Sequence, residues 1–228
     1  MPSIITHAAV PLALWCAADR GRIPPRLLVA GVIAAMLPDA DVLAFALHIP
    51  YADAFGHRGA SHSLLFAGVL AALAAALALA FFGSRRPWSA PHSPGSRRPW
   101  SEQHSPGSRR PWSAVSCQPR LAPTKAGPTV ASTVQAAVFV FVCAASHPLL
   151  DAMTSGGLGV ALAWPWSEHR FFAPWRPIRV SPFAPQFFSA RGAATLLSEL
   201  RWVWLPLAGA VVAWKLIQPA PAASRDPS

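Results

Sequence analysis

His147 and Asp151 close an apolar run that begins near residue 129. Residues four apart on a helix share one face, and their side chains lean the same way. An imidazole and a carboxylate so placed can grip one metal ion from two directions. A carboxylate in so apolar a segment is costly unless something compensates it, and a metal ion is one such compensation. The partners to seek are therefore the other polar residues of the apolar segments.

Leu37-Pro38-Asp39-Ala40-Asp41 puts two carboxylates in a second such run. Acids inside membrane segments are functional candidates, although Pro38 can also break the helix there with Asp39 as an N-cap. In His57-Arg58-Gly59-Ala60-Ser61-His62-Ser63 two imidazoles five apart across a turn can converge on a metal. Gly59 lets that turn be tight, and Ser61 can cap the helix that follows. Arg58 either grips a phosphate or carboxylate oxygen pair or serves the structure. His7 stands alone in a short apolar run and joins the set only through its place in the topology.

His7, Asp39, His57, His62, His147 and Asp151 form the mixed His/carboxylate set that suits zinc, with manganese or iron as alternatives. One ion needs three or four of them; two ions would use six or more and suit phosphoester cleavage. Such an ion lowers the pKa of a bound water toward neutrality. A free carboxylate, Asp41 or Glu168, would accept its proton. Nucleophilic Ser or Cys chemistry has no support: no GxSxG occurs, and none of the 3 cysteines lies among these polar residues. No CxxC or disulfide pair is suggested, and the cysteines read as small hydrophobes.

The elements that must position these residues are membrane helices. The 228-residue chain is 53% hydrophobic and only 12% charged, against about 25% charged in soluble domains. Runs near the ~20 residues needed to span occur at 62–82, 129–150 and 196–217. The last is less clean because of Glu199 and Arg201. Two weaker segments are 27–49, which contains Pro38, Asp39 and Asp41, and the short 4–18. The N-terminus lacks a signal-peptide layout, so 4–18 is expected to be retained. The predicted fold class is all-α: a polytopic bundle of about four to five transmembrane or re-entrant helices. Residues 1–83 hold the first helices, 129–218 the last, and 219–228 a disordered tail.

Residues 84–128 contain a 12-residue tandem repeat, SRRPWSAPHSPG, then SRRPWSEQHSPG, then SRRPWS. It is too polar to bury a face and too rich in Pro for a helix, so a disordered loop is expected. His92 and His104 belong to the repeat and are set aside as ligands. Its six arginines with Glu102 carry +5 of the net charge of +10. Half the basicity thus says nothing about the folded part, and a nucleic-acid partner is not expected.

With five crossings, Arg20, Arg22, Arg26, the repeat arginines, Arg120, Lys125, Lys215 and Arg225 share one side. Arg58, Arg170, Arg176, Arg179 and Arg191 share the other. The richer side is assigned to the cytoplasm. His7, His57, His62, His147 and Asp151 then meet at the extracytoplasmic face. Segment 164–182 (WPWSEHRFFAPWRPIRVSP) is either an interfacial belt of Trp and Arg or a lid whose Arg176 and Arg179 meet an anionic substrate, with Glu168 or His169 near the metal.

The blocks LPDADVL, HRGASHS, SHPLLDAMTSGG, PWSEHRFF and RPIRVSP, after an N-terminal His in an apolar helix, come in an order that resembles the YdjM family of inner-membrane, metal-dependent hydrolases. The match covers most of the chain outside 84–128. It implies a multi-pass protein of the bacterial inner membrane with a His/Asp metal site. Through the HxxxD pair the chain is distantly similar to zinc-dependent phospholipase C and P1-type nucleases, which implies phosphodiester or phospholipid cleavage. The expected function is a metal-dependent hydrolase of a lipid-linked or other small anionic ester at the membrane, with membrane lipids as partners. The alternatives are a metal-ion or small-solute transporter and a non-catalytic structural membrane protein.

Overall fold

The computed structural model describes residues 1–19, 21–83, 129–182 and 186–218; the repeat segment and the tail lie outside the described residues. A 3-10 turn, Ile4–Ala8, runs directly into helix α1 (Ala9–Ala17). Helix α2 (Pro25–Met36) begins at Pro25, whose fixed φ suits a first turn that needs no amide donor. It tightens into a 3-10 turn at Leu37–Val42 and continues as α3 (Leu43–Ala46). A short 3-10 turn, Ala60–His62, precedes α4 (Leu64–Gly83). Helix α5 (Val130–Ala152) opens on Thr129, whose hydroxyl accepts from Ser132 N at 3.2 Å. Helix α6 (Ala190–Glu199) is capped by Ser189 and passes through a π turn, Leu200–Trp204, into α7 (Leu205–Ile217). Among the described residues there is no strand, only isolated bridges pairing Thr154 with Ile178 and Val160 with Phe171.

Among the described residues, three helical stretches are long and apolar enough to cross a membrane: Pro25–Ala46, Val130–Ala152 and Ala190–Ile217. Ile4–Ala17 and Leu64–Ala80 are shorter apolar helices. The segment expected at 27–49 is therefore helical through Pro38, which tightens the backbone without ending it. Rows of exposed apolar side chains, such as Leu65, Val69 and Leu73 on α4 or Val134 and Val138 on α5, suit contact with lipid, while backbone bonds are closed within each helix.

Helices α2, α4 and α5 pack through Ala34, Ala35, Ala67, Cys143, Ala144 and Ala145, with Phe139 and Val140. Small residues let membrane helices approach closely. At Gly31 the approach is closest: a Cβ there would meet Phe139 Cε1 at 2.4 Å. A larger residue there would force the Phe139 ring to move before α2 could lie as close to α5. At the other end Gln135 Nε2 donates to Arg22 O and Lys215 Nζ to Ala18 O. That end lies about 18 Å along α5 from His147, so polar contacts close one end of the bundle and the His/Asp residues occupy the other.

Candidate metal centre

Asp39, His62, His147 and Asp151 come from α2's 3-10 extension, the turn before α4 and the last turns of α5. Each offers a ligand atom, and these atoms lie within 4.8 Å of one another. All four side chains are essentially buried, at 3% exposure or less, and so is His7. His7 stacks on His147 with ring centroids 3.7 Å apart. Its Nε2 lies 3.7 Å from both Asp39 Oδ2 and Asp151 Oδ1.

The hydrogen bonds around the ring fix which nitrogens carry protons. His147 Nδ1 lies 2.7 Å from Ala35 O; a carbonyl only accepts, so Nδ1–H donates and the neutral ring turns a bare Nε2 inward. Asp41 does the same for His62. Ser61 Oγ gives its single proton to Asp41 Oδ2 at 2.8 Å and so accepts from His62 Nδ1 at 3.0 Å; Asp41 Oδ2 is also 3.1 Å from that Nδ1. The two inward Nε2 atoms are 2.9 Å apart. Two lone pairs facing at that distance would repel, so either one ring carries a proton that it donates to the other or a metal ion takes both nitrogens. Nearby, both oxygens of Asp39, Asp151 Oδ1 and both nitrogens of His7 are buried without a hydrogen bond, while Asp151 Oδ2 pairs with Arg58 Nε at 3.1 Å. Buried polar atoms are nearly always paired, so this concentration of unpaired acceptors is the donor set a divalent metal takes.

Outer residues hold the set in place. Asp41 accepts from His57 Nδ1 at 2.5 Å, from Arg58 N at 2.9 Å and from Ser61. With its oxygens so committed it positions His57 and His62, rather than standing free to take a proton. Arg58 is fully buried, with Nε 3.1 Å from Asp151 Oδ2, Nη1 donating to Gly156 O and Nη2 to Thr154 Oγ1. It compensates Asp151 and leaves no face for a substrate. Its backbone is left-handed (φ 64°), a strained choice for arginine that the surrounding bonds must impose. Gly157, also at positive φ, leaves room for it: a Cβ there would sit 2.7 Å from Arg58 Nη1.

The sequence-predicted residues thus divide. His7, Asp39, His62, His147 and Asp151 meet at one point. His57 and Asp41 stand one layer behind His62, and Arg58 one layer behind Asp151. Glu168 is exposed on its loop, and His169 packs against Phe171; neither makes a polar contact with the cluster. Arg176 is exposed over the Phe172 ring, and Arg179 is exposed too. The helix cap before α4 is Ser63, which accepts from Phe66 N, while Ser61 serves Asp41.

Several contributors went unpredicted. Arg170 donates to four carbonyls, those of Tyr51, Asp53, His57 and Arg58, and so pins the loop that carries both histidines. Tyr51 packs edge-on to His57; burial pushes its phenol above the ordinary value, so it stays neutral near pH 7. Glu199, at 1% exposure, accepts from Ser3 N and Ser3 Oγ at 2.5 Å and from Thr6 Oγ1 at 2.7 Å. It thereby ties α6 to the segment that delivers His7. A carboxylate in an apolar helix is the signal that singled out Asp39 and Asp151, and Glu199 carried it too. Its partners, nearly 200 residues away, had none.

The model of the YdjM inner membrane protein family matches residues 1–222. The inner membrane protein YbcI of Escherichia coli (strain K12) is 40% identical over 207 residues, covering 90% of this chain and 92% of that protein. No solved structure matches the chain. With its apolar spanning helices and near full-length match, the chain belongs to the YdjM inner membrane protein family.

Proposed function

We propose that this protein is a metal-dependent hydrolase of the inner membrane that cleaves a phosphoester or lipid-linked ester. The observation that carries this reading is the set of buried carboxylate and imidazole atoms without a hydrogen bond on Asp39, on His7 and at Asp151 Oδ1, beside two facing Nε2 atoms. The residues fit zinc, with manganese or iron as alternatives. An ion held there supplies Lewis acidity and an acidified water. His62 and His147 present their Nε2 atoms because Asp41 and Ala35 O hold the opposite nitrogens, the outer-shell arrangement that fixes tautomer and ring orientation. Arg58 offsets the charge of Asp151 from behind. The N-terminal segment and residues 154–180 cover the cluster, joined where Ser181 N donates to Met1 O. The substrate class is a phosphoester or other anionic ester, and the charge count favours a site toward the extracytoplasmic face.

One observation favours a second reading. The cluster is fully buried, as suits an intramembrane ion site in a carrier. The test is metal content of the detergent-purified protein by mass spectrometry, with hydrolysis of bis(p-nitrophenyl) phosphate, wild type beside His147→Ala. Bound metal and turnover, both lost in the variant, are expected. Bound metal with no turnover on phosphodiester or lipid substrates, and metal flux in vesicles, would favour the carrier.

A further inference from the structure

The four-residue group leaves one buried histidine over. His7 lies outside the set whose ligand atoms are mutually within 4.8 Å, yet neither of its ring nitrogens has a partner. We infer that the centre has two metal positions bridged by the carboxylates of Asp39 and Asp151. His62 and His147 serve the first position and His7 the second. The inference rests on the metal-site reading above and deepens it.

The carboxylate oxygens sort themselves between two sides. Asp39 Oδ1 is 3.4 Å from His147 Nε2, whereas Oδ2 is 3.7 Å from His7 Nε2. Asp151 Oδ2 is 3.2 Å from His62 Nε2, whereas Oδ1 is 3.7 Å from His7 Nε2. One oxygen of each carboxylate thus faces the His62–His147 side, and the other faces His7. Bonds of about 2.0–2.1 Å place tetrahedral ligand atoms about 3.3 Å apart. The 3.2 and 3.4 Å edges, with a shorter 2.9 Å edge between His62 and His147, frame one close position, and the 3.7 Å edges a more open one with three protein ligands. An open position is where a water or substrate oxygen binds, and bridged pairs about 3.5–4 Å apart suit displacement at phosphorus.

The test is titration of metal-free wild type and His7→Ala with Mn2+, read by bound ions per chain and by electron paramagnetic resonance. Wild type should bind two ions and give an exchange-coupled spectrum; His7→Ala should bind one and give the signal of isolated Mn2+. One ion per chain in wild type, with the isolated signal, would overturn the two-position inference and leave the metal site standing. No ion at all would overturn both. Two coupled ions in His7→Ala would remove His7 from the second position. The wild-type stoichiometry decides the central claim even if the variant folds poorly.

Discussion

Glu199 and Asp39 are both carboxylates buried in apolar helices, and the protein treats them in opposite ways. Glu199 receives three donors, Ser3 N, Ser3 Oγ and Thr6 Oγ1, and Thr6 Oγ1 in turn accepts from Trp204 Nε1 at 3.2 Å. Asp39 receives none. A buried charge with its hydrogen bonds made is a structural tie, whereas one left unmade costs the full desolvation of its atoms. Satisfaction, rather than burial or polarity, therefore separates the clasp at Ser3, Thr6 and Glu199 from the site at His7, Asp39, His62, His147 and Asp151.

The largest effect should come where the two kinds of residue meet. Asp151 faces the centre but also compensates Arg58, at 3.1 Å. Asp151→Ala should lose metal and turnover together. It should also strand a buried guanidinium at about 3–5 kcal/mol, read as a lower unfolding midpoint even in chelator. If metal binding survives in Asp151→Ala, this carboxylate is not a ligand, and the contrast with Glu199 collapses.

Glu199→Ala should act on stability alone. It leaves the donors of Ser3 and Thr6 buried and unpaired, at about 1–3 kcal/mol for each orphaned group. The loss should be equal with and without metal at the His62–His147 side, since Glu199 touches none of those ligands. A loss confined to the metal-loaded protein would place Glu199 within the centre. Between the two lies Asp41, satisfied like Glu199 yet bound to a ligand. Asp41→Asn keeps its size but turns an amide donor against His57 Nδ1 or against Arg58 N and Ser61, so it should lower metal affinity about 10–100-fold on top of a metal-independent loss of about 1–3 kcal/mol, the first measured by competition with a chelator.

Much of this centre was legible in the chain because membrane segments make polar residues conspicuous. His147 and Asp151 stand four apart in α5, and Asp39 beside Pro38 in α2, so helical spacing and apolar context named them. The order of the segments brought His7 and His62 to the same end. What spacing could not show was which polar residue faces the centre and which stands behind it. Asp39 and Asp41 are two apart in a 3-10 turn, and side-chain direction alone makes one a ligand candidate and the other a support for His57 and His62. Arg58 has the composition of an anion clamp, but its fork is filled by Thr154, Gly156 and Asp151, residues nearly a hundred positions away. Glu199 was visible only as a blemish in a spanning segment until Ser3 and Thr6 came beside it. The soft helical boundary at Pro38 followed from tertiary packing: α2 continues into α3 because its small face is held on α5.

The smallest expected effect is the sharpest test of the comparison. In the metal-free protein Asp39 is a buried anion with no hydrogen bond, 3.4 Å from a bare His147 Nε2. Asp39→Asn removes the charge and supplies an amide donor to that nitrogen. The metal-free variant should therefore be as stable as wild type or more so, by up to about 1 kcal/mol for the hydrogen bond gained. Stabilisation by added metal should meanwhile disappear; wild type at one hundred times its Kd gains about 2.7 kcal/mol. Unfolding midpoints of both proteins in chelator and in excess zinc measure the four values needed. A residue kept for structure loses stability in every condition when its charge is removed, as Glu199 should. A residue kept for a ligand loses it only when the ligand is present. If Asp39→Asn falls in chelator as far as Glu199→Ala does, then Asp39 is a second structural tie, and unpaired burial does not mark the site.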